Sequence, residues 1–287
     1  MTKLSPKVTQ KIAWGGIGVT AAIAVIVFLF IIGYVLVHGI PTLNWQFVFG
    51  PTTKGGLRAP IIGTFYMVIF TLVIVVPLGV GTAIYLSEYA PMNKFSEFIR
   101  YCLDGLAGVP SIIFGLFGLA LFVVIMFKTT CILAGALTLA CLSLPFMVGA
   151  AEEAIRAVPQ SQREASLALG ATKWQTIWRV VLPAAMPGII TGVILCAGTV
   201  VAETAPLLAT SGYSAFVPAS PLDGCRTLAL HLFYLATEAP CIGGLTRQDL
   251  IAQAMGVGAI LILIVIILNF LMRWLSQRYM AKMRGGK

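Results

Sequence analysis

Six stretches of this chain are long and apolar enough to cross the hydrocarbon core of a bilayer, which takes about 20 helical residues. They fall at about 12–37, 61–86, 101–127, 131–155, 184–209 and 251–275. In lipid, each backbone N–H and C=O must be satisfied within the protein, so such stretches fold as helices. The expected fold is therefore all-α, a polytopic membrane protein of about six transmembrane helices. Composition agrees, with 59% hydrophobic and only 10% charged residues. The first run is too long for a signal-peptide core and has no clean small-x-small cleavage site, so it is read as a span.

The net charge of +9 does not indicate nucleic acid, because the basic residues gather at the ends of apolar runs. With both termini on one side, that side holds 14 of the 19 Lys and Arg, from Lys3, Lys94, Arg156 and Arg163 through to the basic tail after Arg273. Positive charge marks the cytoplasmic side. Both termini are thus expected in the cytoplasm of a multi-pass plasma (cell inner) membrane protein, with membrane lipid around it.

There is no nucleotide loop of the Gly-x-x-x-x-Gly-Lys-Ser/Thr type and no dinucleotide fingerprint. No catalytic residue, metal site or cofactor is expected. Cys102, Cys131, Cys141 and Cys196 lie in or beside apolar runs and read as small core residues. Cys225 and Cys241, 16 residues apart, share the 210–250 loop, placed outside, where they could form a disulfide or stay free. No internal duplication is visible, which counts against a single-chain inverted-repeat transporter. The chain is expected to pair with a similar one, and any nucleotide site to lie on another chain.

Between the fourth and fifth runs lies the longest segment that is neither strongly apolar nor a simple polar loop. It reads as two short amphipathic helices, Ser161–Leu169 and Thr172–Val181, separated by Gly170 as a left-handed cap. Pro183 would then open the next span. Glu164 and Ala168 share a face of the first helix, and the small Ala165 and Ala168 would let another surface approach. The same pattern would also serve a loop lying on the membrane with Trp174 and Trp178 at the interface.

Three places could carry a substrate. Glu203, followed by Thr204 and Pro206, sits late in the fifth run, where a carboxylate either faces protein and water or reaches the outer interface. Pro110 breaks the third run after Gly108 and leaves Ser111 at a fresh helix N-terminus, a setting that suits an anion or a packing kink. Lys54-Gly55-Gly56-Leu57-Arg58 precedes the second run and could steer an anion, or be solvated.

The segment Glu164-Ala165-Ser166, Gly170 and Val180-Val181-Leu182-Pro183 resembles the "EAA" coupling loop of ABC-importer permeases, with Ser166 for Ala and Val180 for Ile. In that family the loop is a short helix docked in a cleft of the cytoplasmic ATPase. The resemblance implies that Glu164, Ala165, Ser166, Gly170 and Ala171 form the ATPase-coupling contact within a loop spanning 156–183. Glu203-Thr204-Ala205-Pro206-Leu207-Leu208 resembles the Gly-Glu-Thr-Ala-Pro-Leu-Leu signature of PstA-type phosphate permeases, and Val109-Pro110-Ser111-Ile112 is similar to another of their stretches. Ala202 replaces the usual Gly, and Thr199 stands where many relatives carry Arg. The resemblance implies a MetI-like core over 61–287, preceded by a helix and outer loop over 1–60. It implies an importer of inorganic phosphate, with Pro110, Ser111, Arg163, Glu203, Thr204 and Pro206 along the pathway or gate. On this reading Arg163 serves either the inner mouth or the membrane surface. The partners implied are a PstC-type permease, a cytoplasmic ABC ATPase dimer that holds the ATP hydrolysis, and an external phosphate-binding protein. Molybdate, tungstate or sulfate would be alternative anions, and an ion-driven secondary transporter a rival class.

Overall fold

The computed structural model describes residues 6–90, 93–238 and 246–283, and every regular element among them is helical. Five helices are individually long and apolar enough to cross a membrane. They contain α1 (Pro6–Gly39), α3 (Arg58–Ile84), α6 (Ile132–Arg156), α9 (Leu182–Ala202) and α12 (Arg247–Met283). Shorter helices fill the connections: α2 (Trp45–Phe49), α7 (Gln160–Ala168), α8 (Lys173–Thr176), α10 (Ala205–Thr210) and α11 (Leu228–Thr237). The centre is α6, clasped by α3 and α9. At the end nearer the coupling loop, Val75, Met147, Ile155 and Ile189 make a buried cluster. At the other end Met67, Leu139, Val200 and Leu207 make a second. The first helix stands at the edge and packs on α12, where Gly39 lies against Met255 and Ala259.

Three expected elements, two of them spans, are built differently. The third is not one rod over 101–127. It is α4 (Lys94–Ala107) followed by α5 (Ser111–Gly118), which continues as wider π-helical turns over Leu119–Phe127. The two arms bend by 101°. Pro110 has no N–H to donate, and it disfavours helical backbone in the residue before it, so the chain leaves the helix at Val109. The first arm is amphipathic: Ser96, Ile99, Arg100 and Leu103 turn inward, while Phe95, Phe98 and Tyr101 are exposed.

The second helix of the coupling segment does not stop before Pro183. It runs from α8 through π-helical turns at Ile177–Val181 into α9, as one stretch over Lys173–Ala202. The ring of a proline presses on the carbonyl four residues back, here Arg179, and the wider turn around that residue accommodates it without a break.

The fifth span ends at Ala202 rather than 209. Glu203 is extended (φ −70°, ψ 133°) and α10 restarts with Pro206 in its first turn. Pro206 cannot donate to the Ala202 carbonyl, so the ladder is interrupted where the proline would need it. The chain then turns back beside α6: the Cys131 N–H donates to the Thr210 carbonyl at 3.1 Å, and the Cys225 N–H to Ser211 at 2.9 Å. Cys225 is buried, and burial, then the neighbouring Cys131, pushes its thiol up to about 12. Cys241, its suggested disulfide partner, lies outside the described residues.

Candidate functional site

The two helix breaks meet. α5 crosses α10 so closely that a Cβ added at Gly115 would sit 2.9 Å from the Pro206 Cα and 3.1 Å from the Ala205 carbonyl. Only glycine permits that approach. Beside the crossing is a cavity of about 270 Å³, lined in part by Val109, Ser111, Phe114, Phe146, Thr199 and Glu203. The Ser111 hydroxyl reaches the Glu203 carboxylate, and no Lys or Arg among the described residues lines the space. Thr199 donates to the Leu195 carbonyl at 3.1 Å. Pro110 forms the turn before Ser111. Pro206 is buried behind the cavity, and the Thr204 carbonyl accepts from Leu207 and Leu208 at 3.1 Å, fastening the restart of α10. The cavity therefore offers one carboxylate and two hydroxyls, the Thr199 proton already committed to Leu195, among apolar walls, a polar spot that orients a small guest. Phe114 and Phe146 carried no mark in the sequence, since a wall residue looks like any other apolar position until two helices face each other.

The coupling segment lies at the opposite end of α6. Glu164, Ala165, Ala168 and Leu169 are exposed on α7, with Leu169 at 89%. Gly170 follows with φ +83°, the left-handed conformation expected of a helix-ending glycine. Ala171 is half-buried beyond it. Thr172 caps α8 in a capping box with Gln175. Ser166 is part-buried, and its hydroxyl lies 2.9 Å from that of Thr176, tying α7 to α8. Arg163 does not reach the cavity of Ser111 and Glu203. Its guanidinium lies 3.0 Å from Glu88, in the π-helical turns Tyr85–Tyr89 that continue α3, and donates to the carbonyls of Ile155 (2.8 Å) and Val158. Arg100, on α4, likewise holds Glu152 at 3.0 Å and the Leu86 carbonyl at 3.1 Å. Neither Glu88 nor Glu152 stood out in the sequence, because their partners are 75 and 52 residues away.

A second unanticipated cluster surrounds Arg226 in the 210–250 connection. Its guanidinium donates to His231 Nδ1 at 3.2 Å and to the Tyr213 carbonyl at 2.7 Å, and lies 4.4 Å from the centre of the Tyr234 ring. Arginine has no acceptor atom, so Nδ1 must be the bare nitrogen of a neutral imidazole. Burial first, and then the Arg226 charge, depress His231 to about 4.

A helical bundle whose spans break in pairs around a small polar cavity, with a short exposed helix at the other end, defines a membrane transport permease. The chain belongs to the family described as "binding-protein-dependent transport system inner membrane component", whose model matches residues 75–284. It is a permease of the ABC-importer type. It is 38% identical to the "probable ABC transporter permease protein YqgI" of Bacillus subtilis, over 99% of this chain and 100% of that one. It is 40% identical to "phosphate transport system permease protein PstA 1" of Mycobacterium tuberculosis, over 67% and 63%. It is 32% identical to PstA 2 of Mycobacterium bovis, over 95% and 90%. Among solved structures it resembles a chain of the inward-facing MetNI methionine transporter, with a TM-score of 0.60 at 19% identity, over 83% of this chain and 99% of that one. It also resembles a chain of a bacterial alginate ABC transporter, with a TM-score of 0.66 at 12% identity, over 95% and 99%. The fold is thus MetI-like.

Proposed function

We propose that this chain is the permease subunit through which an ABC importer brings inorganic phosphate into the cytoplasm. The observation that carries this is the meeting of Glu203, which opens the Glu203–Leu208 stretch, with Ser111 at the paired breaks, in a chain whose relatives include proteins named as phosphate permeases. Ser111 and Thr204 donate hydrogen bonds to the anion without adding charge. A bare carboxylate repels a dianion, so Glu203 serves as a gate, paired with a cation supplied by the neighbouring permease. At the other end Glu164, Ala165, Gly170 and Ala171 meet the ATPase, Ser166 braces the helix that presents them, and Arg163 positions that helix. A PstC-type permease encloses the pathway, two ATPase subunits hydrolyse ATP, and an external binding protein delivers phosphate. Positive charge at the coupling-loop end supports cytoplasmic termini.

The reconstituted complex should take up phosphate in an ATP-dependent manner and in preference to molybdate, tungstate and sulfate. Preference for one of those anions would replace phosphate while keeping the permease reading. Uptake that persists without ATP would favour an ion-driven transporter.

A further inference from the structure

A second cavity, of about 550 Å³, opens beneath the coupling helix, away from the cavity at the helix breaks. Its walls include Arg156, Arg163 and Lys173 against a single carboxylate among the described residues, Glu88. Glu88 is already engaged by Arg163 at 3.0 Å. Arg156 shares Glu152 with Arg100. Lys173 has no carboxylate within ion-pair distance among the described residues, and sits 5.1 Å from the centre of the Tyr89 ring. Positive charge therefore exceeds negative inside a walled groove, and low-dielectric walls focus such a field on a small anion.

Two further features bear on the occupant. Gln160, Arg163 and Leu167 of α7 line the groove, while Glu164, Ala165 and Ala168 are exposed outside its lining. A protein docked on that exposed face leaves the groove to another ligand. Next to Lys173, Trp174 and Trp178 are exposed and form an edge-on pair at 5.4 Å. Exposed indoles settle at lipid headgroup level, which brings Lys173 to the depth of lipid phosphates. Basic pockets between spans on the cytoplasmic side suit such headgroups.

We propose that this groove binds a phosphate oxyanion, with Lys173 and Arg156 as its direct cations, presented by an anionic lipid headgroup or by free inorganic phosphate. The inference does not depend on which anion is transported. The test uses the intact transporter, extracted from membranes and placed in nanodiscs of phosphatidylcholine, with or without phosphatidylglycerol. Bound phosphatidylglycerol is counted by native mass spectrometry, and radiolabelled phosphate binding is measured in the discs lacking it. Lys173→Gln and Arg156→Gln should each weaken phosphatidylglycerol retention about fivefold, with Lys173→Arg restoring it. Loss of phosphate binding in Lys173→Gln, with lipid retention unchanged, would assign the site to free phosphate. Parental behaviour of both glutamine variants in both assays overturns the proposal, as does finding Lys173 occupied by an acidic side chain of a partner subunit. Unchanged melting temperatures establish that the variants are folded, and Lys173→Arg keeps the test decisive if either glutamine variant is not.

Discussion

Arg163 on α7 lies 3.0 Å from Glu88, in the π-helical turns that continue α3, and the same guanidinium closes the chain turn after α6 by donating to Ile155 and Val158. One side chain thus fastens α7 to two of the three central helices. Both partners are largely buried, at 14% and 10% side-chain exposure, so unequal losses are expected from the two ends. Glu88→Gln keeps an acceptor and the carbonyl bonds, and should cost roughly 1–3 kcal/mol. Arg163→Met strands a buried carboxylate and two carbonyls, and should cost roughly 3–5 kcal/mol. Thermal unfolding of the purified variants checks the order, and equal losses would refute the clamp.

Gly170 has open space around its Cα but a φ of +83°. Substitution there meets backbone strain alone. Gly170→Val should cost about 1–2 kcal/mol, and Gly170→Asn much less, since Asn tolerates this conformation. Glu164→Ala should leave stability unchanged, because the side chain is exposed, while weakening co-purification with the ATPase. Full recovery of the ATPase with both Glu164→Ala and Gly170→Val would reject this docking face.

Gly115→Leu should drive α5 away from α10, because the added carbon meets backbone atoms of Ala205 and Pro206 that cannot rotate aside. A destabilisation of at least 1–3 kcal/mol is expected from overpacking, with uptake lost. Gly105→Ala, where no neighbour lies within 4 Å, serves as the comparison. Similar melting of the two variants would mean that the crossing is not tight.

On the proposed gating role of Glu203, Glu203→Gln should leave ATP hydrolysis running while uptake falls. Thr204→Val should weaken uptake with coupling retained. Both activities are read on the reconstituted complex. Parental uptake and coupling in Glu203→Gln would reduce the carboxylate to an interfacial charge.

His231 provides a pH signature. It lies in the 210–250 connection, faced by Arg226 and Tyr234, with Tyr213 and Glu238 also around the Arg226 cation. Its folded value of about 4 lies below the ordinary 6.5. Over that window the unfolded chain binds the proton and the folded one does not. Stability should therefore fall as pH drops from about 6.5 toward about 4, and be flat with respect to this group above the window. His231→Gln should remove this part of the slope. An unchanged slope in the variant would place the titration elsewhere.

Much of the architecture was legible along the chain. Apolar length marked the candidate crossings, five of them single helices and the third run a pair bent by 101°, because a bilayer admits only segments that satisfy their own backbone. Gly170 was readable as a left-handed cap, and Pro110 as a break, since both follow from local covalent geometry. The basic residues at the ends of the runs were equally plain. Local signals misjudged where prolines act: Pro183 sits in a continuous helix because π turns make room, whereas Pro206 interrupts one at Glu203.

Pairings across the fold were decided only in three dimensions. Nothing in the spacing of Arg163 and Glu88, of Arg100 and Glu152, or of Gly115 and Pro206 marks them as neighbours. Their contacts depend on how α3, α4, α5 and α10 pack around α6, which is a property of facing surfaces rather than of any one segment. By itself the sequence determined a helical membrane protein with a glycine-capped segment between its fourth and fifth apolar runs, because hydrophobic length and backbone conformation are local. Tertiary structure alone decided that Glu203 meets Ser111 in a cavity lined by no Lys or Arg among the described residues, and that Arg163 clamps α7, because desolvated charges find their partners through the packing of distant helices.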